Sequence, residues 1–131
     1  MNVQDVMRKD VITIDPDASI LDAMKKMVAE RITSLIVEKT TDKSVYGIIT
    51  RKDIVNKVIA YDKDLGTTKV SEIMSEPILT ISADLSIETV ARLMAKTDIR
   101  RFPVMEEGKL IGLVSNSDIL KAVNKELEES K

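Results

Sequence analysis

Apolar positions along this chain follow one order, and the chain goes through that order twice. In each half a short β-branched apolar run precedes a segment with helical apolar spacing, and two further apolar runs lead into a last amphipathic segment. In the first half these segments are 11–14, 20–28, 35–37, 45–49 and 51–59; in the second they are 78–81, 87–95, 102–105, 110–114 and 116–127. The pattern predicts the elements βαββα in each half, preceded by a short helical opener at 3–7 and 70–74.

The two halves also align residue by residue, so an internal duplication is the most informative feature of the sequence. Residues 3–37 match residues 70–104 without a gap, and 10 of those 35 pairs are identical. Ser19 and Ser86 stand directly before a predicted helix in each half, where a hydroxyl serves as an N-cap. We divide the chain into a first motif (1–60), a polar linker (61–69), a second motif (70–127) and a charged tail (128–131), and expect the motifs to form a pseudo-two-fold pair.

Composition narrows the chemistry that this duplicated chain supports. The 131 residues are 44% hydrophobic and 32% charged, as in an ordinary globular domain. They include no Cys and no His, which removes disulfides, thiolate nucleophiles, the commonest general base and the commonest metal ligand. We therefore expect neither an enzyme nor a metal site. A net charge of −2 and an aromatic content of 2% argue against nucleic-acid binding.

The start of the chain and the length of its apolar runs bear on location. The first residues are polar and lack the basic and apolar regions of a secretion signal, and no apolar run reaches the length of a membrane span. We expect a cytoplasmic protein that does not bind membranes.

One motif joins the last strand to the last helix in both halves. It reads Gly47-Ile-Ile-Thr-Arg-Lys-Asp53 in the first half and Gly112-Leu-Val-Ser-Asn-Ser-Asp118 in the second. A hydroxyl followed three residues later by an acid is typical of a capping box, in which both side chains serve backbone N–H groups. The same place at a helix N-terminus suits phosphate, and an acid beside it suits ribose hydroxyls. The two interpretations are compatible, and the sequence leaves both open.

The second half alone carries adjacent arginines at the loop that enters its second strand. Arg100 and Arg101 align with Thr33 and Ser34 of the first half. A guanidinium donates two parallel hydrogen bonds to phosphate, which favours a phosphate site in the second half, whereas two adjacent arginines are also ordinary solvated surface. The two halves therefore match in framework and differ in charge.

These features together resemble the CBS-domain pair, also called the Bateman module, over about residues 1–125. The marks that carry the resemblance are Asp5-Val-Met7 and Glu72-Ile-Met74, the strand ends Thr13-Ile14 and Thr80-Ile81, the two Gly-to-Asp segments, and Phe102-Pro-Val104. The resemblance implies an α/β (α+β) fold of tandem βαββα repeats. It further implies two small mixed three-stranded sheets and four main helices related by a pseudo-dyad, with two clefts between the copies.

The resemblance also implies what the clefts bind. The ligand would be AMP, ADP or ATP, or less often an S-adenosylmethionine- or NAD-type ligand, and no cofactor would be required. In the main cleft Arg100 and Arg101 would hold phosphate. Ser115 and Ser117 would support phosphate or ribose, and Asp118 would hold the ribose hydroxyls. Thr13 and the backbone beside it at Ile14 would contact the base, with Pro103 in the same cleft. The second, weaker cleft would use Thr80, Ile81, Ser34, Thr50, Lys52 and Asp53.

The biological role follows from the same resemblance. Such modules regulate an enzyme, a channel or a transporter, so we expect a regulator or energy sensor that acts in trans on an effector protein and forms a homodimer. The alternative is a structural or dimerisation module whose clefts take no nucleotide and whose Asp residues only cap helices.

Overall fold

The computed structural model describes residues 1–39, 46–75 and 79–130, and the chain divides into two compact units. Unit I is Ile12–Ile78, and unit II is Met1–Val11 together with Leu79–Lys131. Each unit contains one mixed three-stranded sheet. The predicted α/β fold with two such sheets is confirmed.

Unit I contains the elements of the first copy. Its elements are β1 Thr13–Ile14, α2 Ile20–Glu30, β2 Ser34–Val37, β3 Gly47–Thr50, α3 Arg51–Lys57, a 3-10 turn at Ile59–Tyr61, and α4 Val70–Ile73. The sheet order is β1-β2-β3, with β1 parallel to β2 and β2 antiparallel to β3. Parallel pairing requires a crossover connection, and α2 supplies it.

Unit II repeats this arrangement with the second copy. Its elements are α1 Val3–Val6, β4 Ile81–Ser82, α5 Ile87–Thr97, β5 Arg101–Glu106, β6 Lys109–Ser115 and α6 Asn116–Glu129. The sheet order is β4-β5-β6, parallel and then antiparallel. Glu107 and Gly108 join β5 to β6 with φ angles of 50° and 77°, as a tight two-residue hairpin requires.

Several elements differ in length from the prediction. The strands predicted at 11–14 and 78–81 begin at Thr13 and Ile81, because their ladder pairing covers only two residues each. Helix α3 ends at Lys57, where the chain tightens into the 3-10 turn, and α6 continues to Glu129. Residues 45, 78 and 131 of the predicted segments lie outside the described residues.

Each unit has an aliphatic core that is completed by the opener helix of the other copy. In unit II, Val3 of α1 is fully buried and its N–H donates to Leu85 O at 2.9 Å. In unit I, Val70 of α4 is fully buried and its N–H donates to Ala18 O at 2.9 Å. The compact units therefore differ from the sequence copies, whose limits at 60 and 70 stay a prediction.

The long helices begin where the sequence predicts. Ser19 Oγ accepts from Asp22 N–H at 3.0 Å, and Ser86 Oγ accepts from Thr89 N–H at 3.2 Å, so both N-caps are confirmed. The polar segment 61–69 docks onto the start of α2, where Leu65 O accepts from Leu21 N–H at 2.9 Å.

Candidate functional site

The opener segment of each unit lies directly against the strand that leads into the last helix. In unit II, Arg8 and Leu113 exchange backbone hydrogen bonds of 2.8 and 2.9 Å. A Cβ at Gly112 would lie 2.6 Å from Met7 Sδ and 2.9 Å from Arg8 O, which no real side chain tolerates. Gly112 therefore permits the close approach of the opener segment to β6.

Unit I repeats this contact. Ile48 and Ser75 exchange backbone hydrogen bonds of 3.0 and 2.9 Å, and a Cβ at Gly47 would lie 2.7 Å from Met74 Sδ. The methionines and the glycines are separate marks in the sequence, and in the structure they are two sides of one contact.

Asp118 caps helix α6, as the first interpretation of the motif predicts. Its Oδ2 accepts from the N–H and the O–H of Ser115, both at 2.9 Å, and its own N–H donates to Ser115 Oγ at 3.2 Å. Asp118 is also the one buried charged side chain among the described residues, with 9% of its surface exposed. The cap leaves Oδ1 available for another donor, so the binding interpretation stays open.

Arg8 fills part of that remaining acceptor capacity. Its Nε lies 3.3 Å from Asp118 Oδ1, and its side chain is 52% exposed. Arg8 is not among the site residues predicted from the sequence. The one available signal was that Arg8 aligns with Ser75, an inequality between the copies, but the contact joins positions 110 residues apart.

The adjacent arginines lie at the same edge of the unit II sheet. Arg101 is the register partner of Ser115 across β5 and β6. Arg100 O accepts from Asn116 N–H at 2.9 Å, so the start of β5 is tied to the start of α6. Arg100 is exposed and Arg101 is half-buried. We call the group Arg8, Arg100, Arg101, Ser115 and Asp118 the arginine edge; it carries three guanidinium groups and one carboxylate.

Two further predicted residues of the main cleft lie beside the arginine edge. Ser117 is exposed in the first turn of α6. Pro103 is buried in β5 opposite Leu113, and proline has no backbone N–H to donate.

The equivalent edge of unit I has a similar aspartate cap, but the cation beside the aspartate is a lysine instead of an arginine. Asp53 Oδ2 accepts from Thr50 N–H at 2.9 Å, and Asp53 N–H donates to Thr50 Oγ1 at 3.1 Å. Lys57 Nζ lies 3.2 Å from Asp53 Oδ1, one turn further along α3. Ser34 is the register partner of Thr50, and Lys52 is exposed on α3. Ser34, Thr50, Lys52 and Asp53 of the predicted second site therefore all lie in unit I, where the positions of the two arginines are taken by Thr33 and Ser34.

The strand-end residues predicted to contact a base lie in the opposite unit from the caps they were assigned to. Ile14 and Ile81 are each 6% exposed, and their side chains belong to the cores of units I and II. Thr13 O accepts from Lys26 Nζ at 2.6 Å, and Thr80 is exposed just before β4. That Thr13 joins Asp118, and Thr80 joins Asp53, in shared clefts stays a prediction.

Neither a cluster of metal-binding side chains nor a membrane-spanning helix occurs among the described residues. Residues 1–39, 46–75 and 79–130 contain no group of three or more acidic side chains placed to hold a metal ion. None of the helices in these ranges combines the length and the apolar character that crossing a bilayer requires.

Family comparison agrees with the fold and with the duplicated motif. The model of the CBS domain matches residues 3–60 and again residues 70–125. The chain belongs to the CBS domain family and carries two copies of the domain.

Curated relatives include proteins of several architectures. The chain is 33% identical over 130 residues to the CBS domain-containing protein YhcV of Bacillus subtilis, covering 98% of this chain and 89% of that one. It is 36% identical over 121 residues to the uncharacterized protein MK0525 of Methanopyrus kandleri, where it covers 92% of this chain and spans 61% of the relative's length. It is also 36% identical to inosine-5′-monophosphate dehydrogenase of Methanocaldococcus jannaschii, covering 89% of this chain and only 22% of that enzyme.

Two solved structures show how closely the fold is shared. The hexameric CBS-CP12 protein from bloom-forming cyanobacteria is 42% identical, with a TM-score of 0.85 and coverage of 92% of this chain and 66% of that one. The CBS domain pair of protein MJ0100, solved in complex with 5′-methylthioadenosine and S-adenosyl-L-methionine, is 28% identical. Its TM-score is 0.82, and coverage is 96% of this chain and 98% of that one.

Proposed function

We propose that this CBS pair is a regulatory module that binds an adenine nucleotide, AMP, ADP or ATP, at the arginine edge of unit II. The observation that carries the proposal is the Asp118 carboxylate. It is buried and oriented by the cap, yet Oδ1 takes no part in that cap. A fixed carboxylate on the same sheet edge as the guanidinium groups, of which Arg8 and Arg100 are exposed, matches a ligand that has hydroxyl donors next to an anion.

The two halves of a nucleotide would meet different groups of this edge. Ribose hydroxyls donate to a carboxylate, and a charge-assisted hydrogen bond of this kind is worth about 1.5–3 kcal/mol. The guanidinium groups of Arg100 and Arg101 would donate to phosphate, with Ser115 and Ser117 as neutral donors. Thr13, the backbone at Ile14 and Pro103 complete the predicted residue set of this site.

The unit I edge would form a second and weaker site. Thr33 and Ser34 stand where unit II has Arg100 and Arg101, so phosphate would depend on Lys52 beside Asp53. Lysine is a point donor and does not make the two parallel hydrogen bonds of arginine. Thr80, Ile81 and Thr50 complete the predicted residue set.

A second candidate ligand is of the S-adenosylmethionine type. The observation that favours it is the MJ0100 CBS pair, which covers nearly the whole chain and holds two adenosine derivatives without phosphate. Such a ligand shares the ribose contact at Asp118 and has no phosphate for Arg100 and Arg101, although S-adenosylmethionine carries a carboxylate. Substitution of those arginines should therefore weaken binding of AMP and leave binding of 5′-methylthioadenosine, which has no anionic group, unchanged.

The proposed role is regulation rather than catalysis, exerted on an effector protein in the cytoplasm. We further propose a homodimer, in which the exposed face of α6 meets the same face of a second copy. Leu120, Val123 and Leu127 are 72%, 38% and 61% exposed, at the three- and four-residue spacing of a helix-pairing seam. The oligomeric CBS-CP12 relative is a precedent for self-association.

A thermal-unfolding panel tests the ligand class. AMP, ADP, ATP, S-adenosylmethionine and NADH are each added far above their expected dissociation constants. A ligand at 100 times its dissociation constant stabilises a protein by about 2.7 kcal/mol, which raises the Tm by several degrees at this size. We expect that rise with at least one adenine nucleotide. No shift with any of the five would favour a structural module.

A further inference from the structure

We propose that Arg8 is a competitor for the ribose-binding carboxylate: its Nε–H occupies an acceptor position on Asp118 that a bound ribose must take over. This inference rests on the proposed function and adds a residue that neither the duplicated motif nor the Arg pair includes. It makes Arg8 a specificity-determining residue for hydroxyl-bearing ligands.

The acceptor capacity of Asp118 carries the argument. An ionised carboxylate offers about four acceptor positions, two on each oxygen. Ser115 N–H and O–H both donate to Oδ2, and Arg8 Nε–H donates to Oδ1. One position is then left on Oδ1, whereas the cis-diol of a ribose brings two donors. Because the Ser115 bonds also fix the start of α6, the Arg8 bond is the one that gives way.

The geometry of the Arg8 contact agrees with displacement. Charge-assisted N–H···O bonds are usually about 2.7–2.9 Å long, and Arg8 Nε lies 3.3 Å from Oδ1. The side chain is 52% exposed, so a displaced guanidinium returns to water without leaving a buried charge. The backbone of Arg8 is held separately by its two hydrogen bonds to Leu113. Displacement therefore does not require the opener segment to leave the sheet.

Comparison with unit I shows that an arginine from the opener segment contacts the capping aspartate only in unit II. There the cation on Oδ1 is Lys57, which belongs to the capped helix itself. Position 57 aligns with Ala122 of α6, and Arg8 aligns with Ser75. In each unit a cationic side chain lies against Oδ1 of the capping aspartate, but the two cations come from different parts of the fold. Ser75 also shows that serine supports the same backbone pairing.

The test compares AMP with 2′,3′-dideoxy-AMP in the parent and in Arg8→Ser. The two ligands carry the same phosphate, so any effect of the lost charge on phosphate binding cancels in the ratio of their dissociation constants. We expect Arg8→Ser to raise the preference for AMP over dideoxy-AMP at least about threefold, measured by titration calorimetry. Arg92→Ala, which removes an exposed arginine from α5 of the same unit, is the charge control and should leave the ratio unchanged.

The outcomes separate this inference from the proposed function. If the parent binds AMP and the preference is the same in Arg8→Ser, or falls, Arg8 does not compete with ribose and only the present inference is overturned. If the parent binds none of AMP, ADP and ATP, both fail. Thermal unfolding of Arg8→Ser checks that the variant is folded, and Arg8→Ala provides a second variant with the same expected direction.

Discussion

Met7 Sδ lies 2.6 Å from the point where a Cβ on Gly112 would stand. This contact joins the opener segment to the strand that leads into the capped helix, so the position of Arg8, the next residue, depends on it. The glycine thus has a structural purpose that also places a side chain of the candidate site.

Substitution at this contact tests how tightly the opener segment is held. We expect Gly112→Ala to destabilise the protein by about 1–3 kcal/mol, because the added methyl meets Met7 and the backbone oxygen of Arg8. Chemical denaturation measures the change. Gly66→Ala is the control, since its Cβ would meet only Asp64 Oδ1 at 3.3 Å in an exposed turn. Equal stability of the two variants would mean that the opener segment is not held against β6 in this way.

The phosphate assignment rests on the arginines of the second copy. We expect Arg100→Ala and Arg101→Ala each to weaken AMP binding more than adenosine binding, because only AMP carries the anion that a guanidinium pairs with. Titration of both ligands into each variant gives the two dissociation constants. Arg92→Ala should leave both constants near those of the parent. If each variant weakens the binding of AMP and of adenosine equally, these arginines do not bind phosphate.

The exposed face of α6 gives the oligomeric prediction. We expect Leu120→Glu and Leu127→Glu to shift the protein from dimer to monomer, because a charge placed in an apolar seam between two helices is desolvated without a partner. Light scattering after size-exclusion chromatography measures the mass. Lys125→Glu changes the charge on the same helix away from the seam and should remain a dimer. A monomeric parent protein would contradict the dimer outright.

Much of the fold follows from local sequence signals. The duplicated apolar pattern and the hydroxyl residues before each helix depend only on residues within one helix turn or one strand. Ser19, Ser86, Thr50 and Ser115 accordingly cap the helices that the sequence predicts. The limits of β1 and β4 are less predictable, because a strand end depends on how many residues of the neighbouring strand are available to pair.

Long-range pairing could not be predicted, because the two copies resemble each other too closely. The openers at Val3 and Val70 carry the same apolar side chain, so apolar spacing does not decide which sheet each one covers. For the same reason the contacts of Met7 with Gly112 and of Arg8 with Asp118 could not be predicted. Both depend on the opener of the first copy packing on the sheet of the second copy.

The central claim is that Asp118 binds a ligand in addition to capping a helix. Asp53 provides a matched control, because it shares the two backbone N–H bonds of the cap and also holds a cation on Oδ1, and it differs from Asp118 in lacking the bond from the capping hydroxyl. Asp118→Ala and Asp53→Ala should each cost about 0.5–2 kcal/mol of stability through the lost cap.

Calorimetric titration of AMP into both variants and the parent is the most direct test. The account predicts that Asp118→Ala weakens binding at the tighter AMP site at least about tenfold, consistent with the loss of one charge-assisted hydrogen bond. Asp53→Ala, which alters only the proposed weaker site, should leave the dissociation constant of the tighter site within about threefold of the parent. Binding of AMP to Asp118→Ala with the affinity of the parent would contradict the claim and leave Asp118 as a helix cap alone.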